Sequence, residues 1–156
     1  MTDVLVEGGK APKFTLLDAD GAKVSLAGFA GKKLVLYFYP KADTPGCTTE
    51  ALDFSRLAKS FAKSGVAVVG VSADPVAKLD RFRKKHGLTI PLLSDETHGM
   101  LEAYGVWGEK TLYGRKFMGT KRTTVLIGED GRIAKVWHNV KVPGHAEEVL
   151  AAAKAL

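Results

Sequence analysis

The fold this sequence predicts is a single α/β domain, with a sheet covered by helices on both sides. Three observations predict it. Two short, continuous apolar runs, Leu34–Phe38 and Val66–Val71, have the length of strands buried on both faces. Segments whose apolar residues recur at three- and four-residue spacing follow them, which is the period of a helix face. Strands alternating with helices in this way imply parallel pairing through right-handed crossovers. The 156 residues suffice for one domain spanning 1–156, and no linker, repeat or low-complexity tract divides them.

The elements read as follows. Phe14 to Leu17, the turn residues Asp18-Ala19-Asp20-Gly21, and Lys23 to Leu26 predict a small N-terminal hairpin. After the Leu34–Phe38 strand, Ala51, Phe54, Leu57, Ala58 and Phe61 mark one face of a helix that Gly65 ends. Beyond the Val66–Val71 strand, Asp74 is the expected N-cap and Pro75 the first residue of a helix lined by Val76, Leu79, Phe82 and His86, with Gly87 as its stop. Pro91-Leu92-Leu93 reads as a short strand and Thr97 to Tyr104 as a short helix ending at Gly105. Trp107 to Gly119, rich in Gly, Lys and Arg, reads as a long loop. Thr123–Ile127 and Ile133–Trp137 flank Glu129-Asp130-Gly131, a hairpin signal. A last helix follows Pro143-Gly144, with Ala146, Val149, Leu150 and Ala153 on one face.

Composition excludes several classes. The hydrophobic fraction of 46% and charged fraction of 26% are those of an ordinary globular protein, and no apolar run approaches a membrane span. Met1–Glu7 is acidic and lacks the apolar core of a secretory signal. The net charge of +6 reads as a solvated basic surface, because no aromatic-basic interleaving of the kind that stacks bases is present; neither nucleic acid nor a membrane is expected as a partner. His86, His98, His138 and His145 match no metal-ligand spacing. A single cysteine forbids an intrachain disulfide and suits a reducing compartment, most simply the cytoplasm.

That cysteine, Cys47, lies where a buried strand hands over to a helix. Thr44 is placed as N-cap, Pro45 as the first helical residue and Cys47 as the third. The unpaired N–H groups of a first helical turn and the positive end of the dipole favour a thiolate there. Gly46 lets a small substrate approach the backbone closely, and Pro40 restricts the loop and shields one side. A free cysteine is more commonly a small core residue, but this one sits between a glycine and two threonines rather than in an apolar run.

Pro40-x-x-x-Thr44-x-x-Cys47 resembles the active-site signature of the peroxiredoxins. The wider run Tyr37-Phe38-Tyr39-Pro40-Lys41, then Thr44-Pro45-Gly46-Cys47-Thr48-Thr49-Glu50, resembles the Q-type subfamily, also called bacterioferritin comigratory proteins. Trp107 after Gly105-Val106, Arg122 just before a strand, and Val136-Trp137 through Gly144-His145-Ala146 extend the likeness over nearly the whole chain. The resemblance implies a thioredoxin-like fold, with a central mixed sheet flanked by helices and an N-terminal β-hairpin extension. It implies thiol-dependent reduction of hydrogen peroxide and organic hydroperoxides, with no metal or organic cofactor. Cys47 would be the peroxidatic cysteine, Thr44 its hydroxyl partner, Arg122 the basic residue above the thiolate and Pro40 the residue that closes off the site. The Arg122 guanidinium, the Thr44 hydroxyl and the N–H groups of Gly46 and Cys47 would stabilise the charge that develops as the O–O bond breaks.

The chain departs from that subfamily in one respect. Many members carry a resolving cysteine five residues after the peroxidatic one, where this chain has Leu52; others carry it in the following helix, where this chain has Arg83. A Cys47 sulfenic acid must then be resolved by an external thiol, for which thioredoxin or glutathione with glutaredoxin are the candidates. The resemblance favours a monomer or weak homodimer. Two other functions compete. A cysteine hydrolase needs a histidine paired with Cys47, and a thioredoxin-like binding or chaperone module would not turn over peroxide. Taken singly, Glu50 reads as a solvated helix charge, or as a group orienting Arg122, and Trp107 and Trp137 read as packing residues.

Overall fold

The computed structural model describes residues 5–156, so the first four residues of the expected non-signal N-terminus lie outside it. In chain order the elements are β1 (Thr15–Asp18), β2 (Lys23–Ser25), a 3-10 turn (Leu26–Phe29), β3 (Lys33–Phe38), α1 (Pro45–Arg56), α2 (Ala58–Lys63), β4 (Val66–Ser72) and α3 (Val76–His86). Then come β5 (Leu92–Ser94), α4 (Gly99–Ala103), β6 (Trp107–Leu112), β7 (Arg115–Thr120), β8 (Thr123–Ile127), β9 (Ile133–Trp137) and α5 (His145–Ala155).

Seven strands form one sheet in the order β2-β1-β5-β4-β3-β8-β9. The two apolar runs lie side by side, β3 parallel to β4, and β5 continues the parallel block. β8 and β9 pair antiparallel beyond β3, and β1 pairs antiparallel with β5. The N-terminal hairpin therefore extends the sheet, which is mixed as expected.

Alternation along β3 builds both core layers. Leu34, Leu36 and Phe38 enter one layer, with Val69, Val71, Leu101 and Tyr104. Val35, Tyr37 and Tyr39 enter the other, with Cys47, Phe54, Phe61, Leu79, Phe82 and Val149 from α1, α2, α3 and α5. Burying each such large side chain contributes roughly 1.5–3 kcal/mol. Tyr37 stacks on Phe54 with centroids 4.6 Å apart. Its β4 neighbour must be glycine, since a Cβ on Gly70 would lie 2.7 Å from the Tyr37 ring.

Three local expectations need correction. Trp107–Gly119 is not a loop: β6 and β7 form a two-stranded antiparallel ribbon running from Trp107↔Thr120 to Leu112↔Arg115. Its two turn residues, Tyr113 and Gly114, both have positive φ, which a tight two-residue hairpin turn requires. The helix after Cys47 is broken at Leu57, where α2 begins. Pro75, not Asp74, occupies the N-cap of α3, in an extended conformation. Asp74 turns inward instead: its Oδ2 accepts bonds from the Ala42 N–H (2.7 Å) and the Ser72 hydroxyl (2.8 Å). Gly87 ends α3 at φ 62° as expected. No helix among the described residues is long and apolar enough to cross a membrane, and no His/Cys/Asp/Glu group among them is arranged to hold a metal.

Candidate active site

Thr44, Pro45 and Cys47 take the predicted places: Thr44 is the N-cap of α1, Pro45 its first residue and Cys47 its third. The Cys47 side chain faces the core and is 1% exposed, whereas Pro45 and Gly46 beside it are exposed. Pro40, half-buried, follows β3 and opens the loop to α1. Thr44 supplies its carbonyl to the Thr48 N–H (2.8 Å), but its hydroxyl donates to the Lys41 carbonyl (2.7 Å) and caps no helical N–H.

This loop is tied down from two sides. Asp74 holds the Ala42 N–H from within. Asp43, at φ 61° in the left-handed region that aspartate tolerates better than most residues, reaches the C-terminal end of α3. There its carboxylate meets Lys85 Nζ and His86 Nε2, both at 2.9 Å. Both bonds hold the Asp43 carboxyl below the usual range.

Arg122 is brought to Cys47 from far along the chain. It lies between β7 and β8, and β8 pairs with β3, which leads directly into the cysteine loop. Its carbonyl accepts the Val140 N–H (3.0 Å). Its guanidinium forks: Nη2 donates to Cys47 Sγ at 3.4 Å and Nη1 donates to Glu50 Oε1 at 2.6 Å. Gly46 makes room for the fork, since a Cβ there would sit 3.3 Å from Nη2. Burial works against the Arg122 charge, but Glu50 and Cys47 outweigh it and hold the guanidinium protonated. A fixed cation thus stands over the sulfur at the N-terminus of α1, and both stabilise negative charge there.

Glu50 is the member of this cluster that reading residues singly underweighted. It is not a solvated charge: it is 1% exposed, one turn after Cys47 on the same inward face. Oε1 is taken by Arg122, and Oε2 is buried without a hydrogen-bond partner. Burial raises the Glu50 carboxyl to about 7, against the pull of Arg122. Its three-residue spacing from Cys47 on a helix whose next inward residues are Ala51 and Phe54 was the available signal.

No histidine pairs with the thiol. Among the described residues the hydrogen-bond partner of Sγ is Arg122. His86 binds Asp43, His98 stacks on Trp107 with centroids 3.8 Å apart, and His145 shares a 2.8 Å bond with the Thr124 hydroxyl. Burial lowers the His145 pKa. The Trp137 indole N–H donates to Glu148, so both tryptophans are engaged within the structure as expected. Beside Pro40 an open groove of about 460 Å³ runs under the β6–β7 ribbon, lined by Trp107, Lys110, Phe117 and Thr120.

Known proteins resemble this chain in sequence and in fold. Residues 8–136 match the AhpC/TSA family. Peroxiredoxin Bcp of Bacillus subtilis is 46% identical over 143 residues, covering 92% of this chain and 91% of its own. The solved peroxiredoxin Q of Xanthomonas campestris superposes with a TM-score of 0.87 at 44% identity, covering 91% of this chain and 90% of its own. Peroxiredoxin Q of that organism has also been solved with serine in place of cysteine at either of two positions, and a structure of the Xanthomonas campestris bacterioferritin comigratory protein, solved for its alkyl peroxide reduction activity, matches with the same TM-score and identity. A cysteine-to-serine variant of the Xylella fastidiosa PrxQ superposes at 0.92 with 41% identity, covering 97% and 96% of the two chains. The expected thioredoxin-like α/β fold, a mixed sheet flanked by helices, is the fold these neighbours share.

Proposed function

The chain belongs to the AhpC/TSA family as a thiol peroxidase of the Bcp/PrxQ kind, and on that premise we propose a one-cysteine catalytic cycle centred on Cys47. The observation that carries it is the Arg122 fork, which joins the buried sulfur to Glu50. The Cys47 thiolate attacks the terminal oxygen of a hydroperoxide. The S–O bond forms as the O–O bond breaks, Cys47 becomes a sulfenic acid, and the electron pair leaves on the second oxygen. Arg122 and the first-turn N–H groups of Gly46 and Cys47 lie where that negative charge develops, and such preorganised donors typically account for the largest share of a rate enhancement. Pro40 walls one side of the site, and the Thr44 hydroxyl completes it once turned from the Lys41 carbonyl. Hydrogen peroxide and organic hydroperoxides are the substrates, and no metal or organic cofactor takes part.

Cys47 is the chain's one cysteine, so a second thiol comes from outside. It attacks the sulfenic sulfur, releasing water and leaving a mixed disulfide; another thiol then frees Cys47. Thioredoxin, or glutathione with glutaredoxin, supplies these equivalents in the cytoplasm. Because Cys47 is 1% exposed, the first turn of α1 must open to admit the donor. The protein works as one domain over residues 1–156, as a monomer or weak homodimer.

Mass spectrometry with a sulfenic-acid trap after one equivalent of peroxide tests the cycle. Cys47 should be labelled in monomeric protein, and Cys47→Ser should consume no peroxide above background. A stable interchain disulfide would overturn the monomeric scheme, and peroxide reduction by Cys47→Ser would overturn the assignment of the nucleophile.

A further inference from the structure

The oxygen that leaves the peroxide as Cys47 is oxidised departs as hydroxide or alkoxide, a strong base, since water itself has a pKa of about 15.7. The cycle above supplies charge for it but no dedicated proton. Arg122 does not give one up, because a guanidinium stays protonated in proteins. The Thr44 hydroxyl is directed at Lys41.

Lys110, on β6, is held against the backbone of the facing strand β7. It lines the groove that begins at Pro40. Its alkyl chain lies over Gly119 of the facing strand, where a Cβ would come within 3.0 Å of Lys110 Cδ. Its Nζ donates to the Thr120 carbonyl at 3.0 Å, two residues before Arg122. That is a neutral acceptor, and among the described residues no carboxylate lies within 4.0 Å of Nζ. The neighbouring Glu109 is engaged on the other face of the ribbon, by Lys116 at 3.8 Å. One bond to a carbonyl leaves two of the three ammonium protons for a ligand.

The charged groups around Lys110 make it a ready donor. Arg122 and Cys47 both act on its charge, and Lys41 and the Asp74–Lys78 pair line the same groove. Burial and Arg122 lower the Lys110 pKa below the ordinary lysine value, while Cys47 opposes them.

We propose that Lys110 is a catalytic residue that donates a proton from Nζ to the oxygen leaving the peroxide. The proposal rests on the thiol-peroxidase reading of Cys47. The thiolate and the hydroperoxide R–O–OH give Cys47–SOH and RO⁻. The Lys110 ammonium and RO⁻ then give the neutral amine and ROH, and solvent returns the proton to Nζ.

Single-turnover oxidation of Cys47 by two oxidants tests this. Hydrogen peroxide expels hydroxide, which needs the proton; peracetic acid expels acetate, a weak base that does not. Lys110→Met should slow the hydrogen peroxide reaction about 10²-fold, in the range of general-acid effects, and by at least ten times more than it slows the peracetic acid reaction. Lys110→Arg, which keeps the charge but holds its proton, should behave like Lys110→Met. In the wild type the hydrogen peroxide rate should fall at alkaline pH, below the ordinary lysine range, and Lys110→Met should lack that limb. Lys116→Met, on the opposite face of the ribbon, should change neither rate. Equal losses with both oxidants, rescue by Lys110→Arg, or no loss at all would each overturn the proposal. Failure of the wild type to react with either oxidant would instead refute the peroxidase reading beneath it.

Discussion

Replacing Glu50 by Gln separates the cost of a buried carboxylate from the benefit of its ion pair. Glu50 is 1% exposed, and Oε2 has no donor to stabilise a negative charge. Burial moves its carboxyl from 4.5 to about 7 despite the Arg122 bond. One pKa unit corresponds to about 1.4 kcal/mol, so the shift is worth on the order of 3 kcal/mol. The sign follows from proton counting. Between pH 4.5 and about 7 the folded protein keeps a proton that the unfolded chain has released, so Glu50 makes stability fall as pH rises through that window. Above it both states are ionised and the slope vanishes. Glutamine keeps the shape and can accept the Arg122 Nη1 bond through its amide oxygen, but it does not titrate. Urea unfolding of both proteins from acid to mildly alkaline pH measures the effect, and other titrating groups cancel in the difference. Wild-type stability minus that of Glu50→Gln should fall by about 3 kcal/mol across the window. A difference that is flat with pH, or that rises with it as for an ordinary ion pair, would refute the reasoning.

Two further substitutions test the rest of the assembly. Arg122→Ala removes the hydrogen-bond partner of Sγ and leaves Glu50 buried alone; peroxide oxidation of Cys47 should slow by about 10²–10³-fold in stopped flow, and unfolding should show a stability loss greater at pH 8 than at pH 5, where Glu50 can take a proton instead. An unchanged oxidation rate would remove Arg122 from the mechanism. Gly70→Ala places a Cβ 2.7 Å from the Tyr37 ring, which is itself stacked on Phe54 beside the site, and should cost about 1–3 kcal/mol, read as a lower Tm. An unchanged Tm would mean that the ring has room to move.

What the sequence disclosed and what it concealed divide along a physical line. β3, β4, β8 and β9 were legible because continuous apolar runs and a Glu-Asp-Gly turn are local signals, and the turn of α1 around Cys47 was legible from Thr44 and Pro45. The β6–β7 ribbon was not: both of its faces carry charge, Lys110 and Arg115 on one and Lys116 on the other, and the glycines of its two strands, Gly108 and Gly119, face one another, so neither strand alternates cleanly. Asp74 stood where an N-cap belongs, and its inward turn depends on Ser72 and Ala42, the latter 32 residues away. Glu50 lay on the correct helical face, but the partner that makes its burial tolerable is 72 residues distant. The fold was carried by local periodicity, and the polar network around the thiol by contacts that only the sheet order creates.

The two positions at which the Q-type resemblance would place a resolving cysteine show how the solitude of Cys47 is compatible with this fold. Leu52 follows Cys47 by five residues on α1, which turns it about 140° around the helix axis. Cys47 faces the core, and Leu52 faces outward at 42% exposure. A thiol there could meet Sγ only if α1 unwound between them. Arg83, on α3, is engaged elsewhere: its guanidinium binds Asp80 at 2.6 Å and Asp20 at 2.9 Å, joining the helix to the β1–β2 turn. Opening α3 to bring residue 83 toward Cys47 would break both ion pairs, and it would release Asp43 from Lys85 and His86 at the end of the same helix. Resolution from within would thus dismantle contacts that hold the loop leading to Cys47. Resolution by an outside thiol, as proposed, would call only for the first turn of α1 to move, and there Pro45 and Gly46 are already at the surface.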